Sequence, residues 1–535
     1  MKKGNDSHFA RVAQVDIKRS LFPRPSTHKT TMNADLLTPI FIDEVLPGDT
    51  FKMRSSSFCR LSNPIKPSMD NLHTDVHYFF VPNRLLWDNW EKFMGAQDNP
   101  GDSVDYLVPK VRVDALLDEQ YVNTMPDYFG IPNPHTDADD PTIKGHHEVC
   151  AFPFRAYNLI FNEWYRDQNL QDSVYITKSD ETVSADNYSL LKRGKRHDYF
   201  TSSLPFPQKG EPVGLSLSGD LPIVGTGTAP KFSGDEAGEG REMYIPEPAD
   251  DGRVHIHSSI KGHINWDSTE LIGVMDGVTA VTINALRQAF QLQKFLERDA
   301  RSGTRYIEII KSHFGVTNPD YRLQRPEYLG GTKDNVVFTT VAQTSESATT
   351  PQGNLSALAI SSGSGHCFNH SFTEHGFIIG IASIYGDLTY QSGINRMWKR
   401  DTRVDYYWPE FAHLGEQEVF NYEIYADGFI DTADTIDNDS LLFGYQERYA
   451  EYRYSPNRIS SYFRSSSDLS LDVWHYAEDF DKCPLLNADF ISYNTPIKRN
   501  SALVDYPDLI CDFYFDLTCI RPMPMYGTPG FVDHF

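Results

Sequence analysis

Residues 511–519, near the end of the chain, alternate apolar and polar side chains with a period of two. Cysteine, phenylalanine or leucine stands at every odd position, aspartate, tyrosine or threonine stands at every even position, and Pro522 follows. Because successive side chains of a strand point to opposite faces, this pattern predicts a β-strand with one buried apolar face. The fold must therefore contain a sheet that covers a hydrophobic core.

Other strand-forming segments lie tens to more than a hundred residues apart. Each is rich in β-branched and aromatic residues, and Pro82 ends one of them. These segments are 51–55, 72–81, 336–341 and 376–385. Such spacing does not fit regular βαβ units or a compact sandwich. It predicts a mainly β scaffold with very long insertions between its strands.

Two amphipathic helices are predicted, over residues 284–301 and 304–314. Thr282 is a candidate N-cap, and Gly315 is a candidate C-terminal cap. We expect both helices to pack on the β core, because an amphipathic helix mainly buries its apolar stripe. In the first helix that stripe consists of Leu286, Ala289, Phe290, Leu292 and Leu296.

Residues 214–277 differ in character from the rest of the chain. They are rich in glycine, proline, serine and acidic residues and have no long apolar run before Ile272. This composition predicts a surface insertion. It divides the expected β domain into residues 31–213 and 278–535.

Two basic segments stand out in a chain whose formal net charge is −24. Residues 1–30 hold seven Lys or Arg against two Asp without a sustained period, which predicts a flexible or extended arm. Residues 192–196 place four cations within five positions, and an aromatic and proline run follows. A cationic cluster in an acidic protein indicates an anionic partner, although a solvated turn is the usual alternative. The basic residues are Lys2, Lys3, Arg11, Lys18, Arg19, Arg24, Lys29, Lys192, Arg193, Lys195 and Arg196.

The sequence contains no recognisable catalytic or metal-binding motif. HExxH, P-loop and GxSxG patterns do not occur. Residues 362–366 are interpreted as a flexible Ser/Gly turn, and the His146–His147 pair as a surface loop without a second ligand pair. The acidic groups at 137–140 and 431–439 lack the spacing of a calcium loop and are interpreted as solvated loops. We therefore expect neither an enzyme nor a resident metal or cofactor.

Targeting and redox features indicate a cytosol-like compartment. Lys2 and Lys3 are not followed by an apolar segment, and the most apolar run, 376–384, is too short for a membrane helix. The six cysteines include no CxxC pair. Cys511 and Cys519 would lie roughly 26 Å apart along one strand, beyond disulfide reach, so we expect free and mostly buried thiols.

Several segments, taken together and in order, resemble one viral family. They are FARVAQVDIKRSLFPRP (9–25), FIDEVLPGDTF (41–51), HYFFVPNRLLWDNWEKFMG (77–95), KRGKRHDYFTSSLPFPQKG (192–210), LRQAFQLQKFLERDARSGTRYIEIIKSHFGV (286–316), RPEYLGG (325–331) and FGYQERYAEYRYSPNRI (443–459). This set is similar to the major capsid proteins of the Microviridae, small single-stranded DNA bacteriophages, and specifically to the gokushovirus branch. The segments span most of the chain.

The resemblance implies an eight-stranded antiparallel viral jelly roll with enlarged loops. It also implies sixty copies in a T=1 icosahedral shell around a circular single-stranded DNA genome, located in the virion and assembled in the host cytoplasm. A variable insertion forms a spike on the three-fold axes in this branch, so residues 214–277 are the candidate for contact with a host receptor. A small basic DNA-binding packaging protein is the further expected partner, because copies carrying −24 each cannot neutralise a genome.

These expectations assign roles to residues. The basic residues are candidates for phosphate contact, and Phe22, Tyr199 and Phe200 for stacking on unpaired bases. With 69 aromatic residues available, two segments are candidates for subunit interfaces, with packing inside the chain as the alternative. A carbohydrate-active β-rich enzyme and a secreted adhesin remain the other classes considered. The interface candidates are Trp87, Trp90, Phe93, Tyr445, Arg448, Tyr449, Tyr452, Arg453 and Tyr454.

Overall fold

A computed structural model describes most of the chain. The described residues are 17–135, 145–214, 223–225, 231–234, 241–242, 264–266, 271–273, 283–317, 322–428, 430–431 and 436–526. They divide into two compact units, residues 1–207 with 304–535 and residues 208–303. The predicted insertion, 214–277, falls within the range of the second unit.

Nine antiparallel strands form the main sheet of the first unit. Their order is β1–β9–β4–β7–β6–β5–β8–β3, and β2 also pairs with β9. The strands are β1 Ser20–Pro23, β2 Ser26–Met32, β3 Thr38–Val45, β4 Thr50–Leu61, β5 Leu72–Pro82, β6 Glu327–Ala342, β7 Leu355–Ser371, β8 Gly376–Gly386 and β9 Leu509–Arg521. The predicted mainly β, antiparallel jelly roll with long insertions is confirmed.

Strand β6 joins the two halves of this sheet. Its C-terminal part pairs with β7, whereas its N-terminal part pairs with β5. The free edges approach each other, because the His28 ring on β2 lies 2.8 Å from the Ile40 carbonyl on β3. The sheet therefore curls around a first core to which both halves contribute.

The period-two pattern of 511–519 is seen in β9. All five odd positions are buried in the first core, and Cys511 stands opposite Cys59 of β4. Phe513 and Phe515 are nearly fully buried, and each contributes on the order of 1.5–3 kcal/mol through transfer of its ring from water. The alternation in the sequence thus reports the two faces of the sheet.

Strands β5 and β8 are buried on both faces. The side chains of β8 are mostly apolar on both sides, whereas β5 also buries the polar residues His73 and Asp75. Phe79, Val81, Ile379 and Ile381 point away from the first core into a second one. Helix α1, Phe152–Ile160, covers this second core and continues into a π-helical turn, Phe161–Tyr165. Helix α1 was not predicted, because it is buried around most of its circumference and lacks an exposed polar stripe.

Two further helices follow the predictions closely. Helix α2 spans Ile283–Arg301 and α3 spans Tyr306–Phe314, with Gly315 in the left-handed region at φ 70°. The predicted burial of their apolar faces is wrong for several positions, since Leu286, Phe290 and Leu292 of α2 are exposed. Tyr306 and Phe314 of α3 are exposed as well.

Short elements occupy the long connections of the first unit. Residues Tyr199, Phe200, Tyr390 and Phe443 pack there in a third core. The short strands are Lys110–Asp114, His146–Cys150, Val183–Ser184, Thr389–Tyr390, Glu416–Phe420, Ile430–Asp431, Ile436–Asp437, Leu442–Glu447 and Asn457–Arg458. The short helices are Trp90–Phe93, Asp118–Tyr121, Met125–Tyr128, Asn421–Ile424 and Ala488–Ile491.

The described residues of the second unit form α2 and five short strands. Lys231–Gly234 pairs with Arg241–Glu242 and with Ile264–Trp266. Ile223–Gly225 pairs with Leu271–Gly273. All three pairings are antiparallel.

Two predicted loops are strands. Residues 362–366 lie inside β7, and His146–Cys150 pairs with Lys110–Asp114. No side chain fits at position 363, because a Cβ on Gly363 would clash with the Asp334 carboxylate of β6. This contact joins distant parts of the chain and is not visible in the local Ser/Gly pattern.

Candidate nucleic-acid interface

The basic segment 192–196 is an extended strip held from both sides. Lys192 forms an isolated bridge with Leu36, and Gly194 forms one with Ser492. The Arg193 amide donates to the Asp35 carbonyl at 2.8 Å, and the Lys195 amide donates to the Ile491 carbonyl at 2.6 Å. Successive side chains of an extended strip alternate, so its cations face different environments.

Arg193 points into the protein and is 9% exposed. Its Nη2 lies 2.9 Å from Asp75 Oδ2, and its Nη1 donates to Ser383 Oγ at 2.6 Å. The guanidinium also sits 4.2 Å from the centre of the Tyr385 ring, whose hydroxyl donates to Asp75 Oδ2 at 2.9 Å. Burial raises the pKa of Tyr385, so its hydroxyl keeps its proton.

Lys195 is buried in a second ion pair. Its Nζ lies 2.7 Å from Glu478 Oε2 and 4.5 Å from the centre of the Phe490 ring. Burial raises the pKa of Glu478, whereas the Lys195 charge lowers it. The ammonium thus has its anion within the same chain.

These positions change the interpretation of the basic segment. Arg193 and Lys195, predicted to contact DNA, are enclosed and paired with Asp75 and Glu478, so we reassign both to the interior of the subunit. The partners lie far away in sequence, which is why local charge counting missed them. Lys192 is exposed, and the Arg196 side chain is 47% exposed.

Two of the predicted stacking residues are also buried. Tyr199 and Phe200 belong to the third core, and the Tyr199 hydroxyl donates to Glu423 Oε2 at 2.8 Å. They are therefore not available to unpaired bases. Phe22 of β1 is partly buried and packs against the first core.

A cavity of about 420 Å³ opens beside Arg196. One side carries the exposed aromatic residues Trp164 and Tyr328, whose ring centres are 6.0 Å apart. His77 lines the cavity with its Nδ1 2.7 Å from the Tyr165 hydroxyl. Burial, with a smaller contribution from the Arg193 charge, lowers the pKa of His77 to about 4, so its ring is neutral near pH 7.

Trp164 and Tyr328 were not among the predicted site residues. Tyr328 lies in the RPEYLGG segment that was quoted only for family resemblance. Trp164 follows α1, which itself was not predicted. The only local signal was the adjacency of aromatic and basic residues in 164–166.

The described part of the arm lies on the main sheet. Residues Ser20–Pro23 and Ser26–Met32 are strands β1 and β2, so the ordered sheet includes the second half of the predicted arm. Arg24 binds both oxygens of Asp43, at 2.6 and 3.2 Å, and Lys29 lies 3.0 Å from Asp512. Lys18 and Arg19 are exposed, whereas Lys2, Lys3 and Arg11 lie outside the described residues.

The first predicted interface segment is largely internal. Trp87 is fully buried in the second core, where its ring centre lies 5.4 Å from that of Phe93 and 6.0 Å from that of Phe152. Its indole N–H donates to Asp180. We therefore reassign Trp87 to the core, while Trp90 and Phe93 are partly buried beside it.

The second predicted segment divides between interior and surface. Tyr449 is buried and Tyr445 and Arg448 are partly buried, with the Arg448 guanidinium 4.9 Å from the Tyr449 ring centre. We therefore reassign Tyr449 to the interior of the subunit. Tyr452, Arg453 and Tyr454 are exposed, and Arg453 pairs with Glu447.

Further exposed aromatic residues adjoin Tyr452. The ring centres of Tyr407 and Tyr452 are 6.3 Å apart, and the Arg400 guanidinium lies 4.4 Å from the Tyr452 ring and 5.4 Å from the Tyr406 ring. Arg400 is in turn paired with Glu451 at 3.1 Å. We call this surface the aromatic patch, defined by Tyr406, Tyr407, Trp408, Tyr452 and Tyr454.

Within the described ranges, no three His, Cys, Asp or Glu side chains are grouped so that they could hold a metal ion. Residues 137–140 lie outside those ranges, as do residues 432–435 of the acidic group 431–439. The described part of the second group is not a solvated loop, because Ile430–Asp431 pairs with Ile436–Asp437 and Asp439 is buried. The same part of the chain has no helix with the length and apolar character needed to cross a membrane.

Comparison with known proteins places the chain among capsid proteins. A family model described as "Capsid protein (F protein)" matches residues 10–531. The capsid protein VP1 of Bdellovibrio phage phiMH2K is 46% identical over 544 residues, covering 99% of each chain. The VP1 protein of Chlamydia phage 1 is 42% identical over 593 residues, covering 98% of this chain and 97% of that protein. The VP1 protein of Spiroplasma virus 4 is 34% identical over 566 residues, covering 99% of each chain.

Both the family model and the relatives extend over nearly the whole length, including the jelly-roll strands at both ends of the chain. The chain therefore belongs to the F protein family of phage capsid proteins, within the gokushovirus-like branch of the Microviridae.

Proposed function

We propose that sixty copies of this chain form a T=1 icosahedral shell around a circular single-stranded DNA genome. As a capsid protein of this family, the chain is a structural component of the virion and not an enzyme. The observation that carries the proposal is the aromatic patch, whose five large side chains are exposed on the single subunit. Exposed apolar patches rimmed by polar groups are typical of protein interfaces.

Assembly of variants at the aromatic patch tests this proposal. Replacing Tyr407 and Tyr452 with Ser should leave a folded subunit and prevent formation of small uniform icosahedra in negative-stain microscopy, because apolar interface area is lost at every symmetry copy. Tyr407→Phe is the matched control, since it keeps the ring. Wild-type particles from the double Ser variant would contradict the role of the patch, and wild-type shells with another symmetry would contradict the copy number.

We infer that exposed cations contribute a non-specific contact with the genome. Lys18, Arg19, Lys192 and Arg196 are exposed in the described part of the chain. The arm residues Lys2, Lys3 and Arg11 stay candidates from sequence alone. Each phosphate contact releases counterions, so binding should weaken as salt increases.

A small basic packaging protein is the further partner we propose. At −24 per copy, the shell itself adds negative charge to that of the genome. Purified full particles should therefore contain a second, basic polypeptide, which mass spectrometry of intact virions would reveal. Full particles with this chain as the sole polypeptide would contradict the need for such a partner.

Residues 214–277 are proposed to carry host attachment at a three-fold protrusion. The support is their composition and their position inside the range of a separate compact unit. Replacing them with a short Gly/Ser linker should leave particles intact and reduce adsorption to host cells. Unchanged adsorption of the shortened particles would contradict the attachment role without affecting the shell proposal.

A further inference from the structure

We propose that the cavity beside Arg196 binds one nucleotide of single-stranded DNA, with the base against Trp164 and Tyr328 and a phosphate at Arg196 and Arg166. This inference rests on the proposed enclosure of a single-stranded genome and specifies where that genome is held. We call this site the nucleotide cavity, defined by Trp164, Arg166, Arg196 and Tyr328.

The aromatic side of the nucleotide cavity is exposed and held in place before any ligand arrives. Trp164 is 40% exposed and Tyr328 is 43% exposed, which is unusual for large rings packed together. The Trp164 indole N–H donates to the Pro326 carbonyl at 2.9 Å, and the Phe79 ring supports Trp164 at 5.7 Å. A fixed, partly open ring offers a stacking surface at a low entropic cost.

The lining of the nucleotide cavity also supplies positive charge that the chain does not neutralise fully. Arg196 Nη2 lies 3.9 Å from Asp75 Oδ2, but that oxygen is already bound by Arg193 at 2.9 Å and by the Tyr385 hydroxyl. The Arg196 guanidinium rests 5.1 Å from the Tyr385 ring centre with half of its side chain in solvent. It is therefore positioned and free to accept an additional anion.

Arg166 adds a second cation with an unsatisfied donor. Its Nη1 donates to the Gln171 carbonyl at 2.9 Å, whereas its buried Nε has no hydrogen-bond partner among the described residues. The adjacent Asp167 is the carboxylate that lines the cavity, and its Oδ1 already accepts the amides of Asn169 and Leu170 at 2.8 and 3.2 Å. Because its Nε is enclosed, Arg166 contributes to anion binding through the positive charge that it adds to the cavity lining.

The dimensions and chemistry favour a nucleotide over other small anions. The volume of about 420 Å³ lies within the range of roughly 300–1,000 Å³ that small-molecule sites occupy. Cations beside exposed aromatic rings are the combination that single-strand binding proteins use for backbone and base together. The Arg325 guanidinium is not part of the cavity lining but lies 4.9 Å from the Trp164 ring centre, where it adds positive charge near the site. Stacking is tolerant of sequence, so the site should accept any base.

Ultraviolet cross-linking of intact virions is the direct test. Irradiation should join DNA to the aromatic side chains that touch bases, and mass spectrometry of the digested shell should find nucleotide adducts on Trp164 or Tyr328. Trp398 is exposed outside the nucleotide cavity and serves as an internal control that should remain unmodified. Adducts elsewhere in the shell with none on Trp164 or Tyr328 would overturn the inference.

Binding measurements on the full-length subunit provide an independent readout. Trp164→Ala should weaken binding of a fluorescent oligothymidylate by about 5- to 150-fold, from ~1–3 kcal/mol per stacked base. Arg196→Ser should reduce the slope of log affinity against log salt by about one, as expected for one phosphate contact. Trp398→Ala and Trp164→Phe are the matched controls, and both should keep most of the affinity.

The outcomes separate this inference from the shell proposal. We expect Arg196→Ser and Trp164→Phe subunits to form normal particles. A lower DNA content and a lower salt slope in Arg196→Ser, but not in Trp164→Phe, would support the nucleotide cavity. Unchanged affinity and salt slope in both Arg196→Ser and a folded Trp164→Ala subunit would reject the cavity and leave the shell intact. Inhibition by deoxythymidine monophosphate as strong as that by the oligonucleotide would also reject it, because it would indicate a site for free nucleotide and not for a strand.

Discussion

Arg193 and Asp75 form an ion pair of 2.9 Å inside the subunit, and Arg196 reaches the same carboxylate oxygen at 3.9 Å from the surface. Asp75 belongs to β5 and is 3% exposed, so its charge is removed from water. The segment that carries Arg193 and Arg196 is thereby fixed to the main sheet through one buried anion. Its four cations divide into two that maintain the fold and two that face solvent.

We expect serine substitutions within the basic segment to separate into two classes. Arg193→Ser or Lys195→Ser removes one partner of a buried ion pair and should lower the free energy of unfolding by about 3–5 kcal/mol. Lys192→Ser or Arg196→Ser should change it by less than about 1 kcal/mol, because exposed charges interact weakly. Thermal unfolding of the full-length subunit measures the difference. Equal losses at all four positions would contradict this division.

Asp35 should make stability depend on pH between about 4 and 6. It is 5% exposed, and burial raises its pKa from 3.8 to about 6 despite hydrogen bonds from the Thr495 amide and hydroxyl. Because the pKa of Asp35 is higher in the folded state than in the unfolded state, its protonated form stabilises the fold. This stabilisation is complete below pH 3.8 and is lost as the pH rises through 6. The free energy of unfolding should fall by about 3 kcal/mol over this pH range, from ~1.36 kcal/mol for each unit of pKa.

The Asp35→Asn variant isolates this effect. Asparagine stays neutral, tolerates the left-handed φ of 67° at this position and can bond to Thr495. The variant should match the wild type in unfolding free energy near pH 4 and exceed it by about 3 kcal/mol at pH 7. Urea unfolding at both pH values checks this, and a difference that does not change with pH would contradict the assignment to Asp35.

Gly194 should not tolerate a side chain. A Cβ at this position would lie 2.9 Å from the Tyr165 carbonyl oxygen, at the end of the π-helical turn. Gly194→Ala should therefore cost about 1–3 kcal/mol, as overpacking does in a close-packed site. Gly101→Ala is the control, because nothing lies within 4 Å of its added Cβ. Equal melting temperatures for the two variants would show that the strip can move away from the turn.

Local patterns in the sequence were sufficient for the main strands. The alternation in 511–519 follows from one buried face, and the continuous apolar run of 376–385 follows from burial on both faces of β8. These patterns are visible locally because each depends only on which faces of its own strand are buried. The capsid family also followed from the sequence, since its characteristic segments are spread over the whole chain.

Pairings between distant residues could not be predicted in this way. Whether Arg193 meets a phosphate or Asp75 depends on a contact between the connection after α1 and strand β5. Gly363 was interpreted as part of a turn because its true neighbour, Asp334, lies on another strand. The nucleotide cavity likewise combines Trp164, Arg196 and Tyr328 from three separate segments. Charge and composition indicate that such residues need partners but do not identify them.

Thiol reactivity should report the division between core and surface. Cys59, Cys367, Cys511 and Cys519 are buried and free, whereas Cys150 is exposed and Cys483 is intermediate. A hydrogen bond with Cys59, which faces it on β4, together with burial, raises the pKa of Cys511 and keeps its thiol protonated. In the folded full-length subunit, N-ethylmaleimide should modify Cys150 first and leave the four buried thiols unmodified until denaturant is added. Peptide mass spectrometry identifies the sites, and early labelling of Cys59 or Cys511 would mean that the sheet opens between β4 and β9.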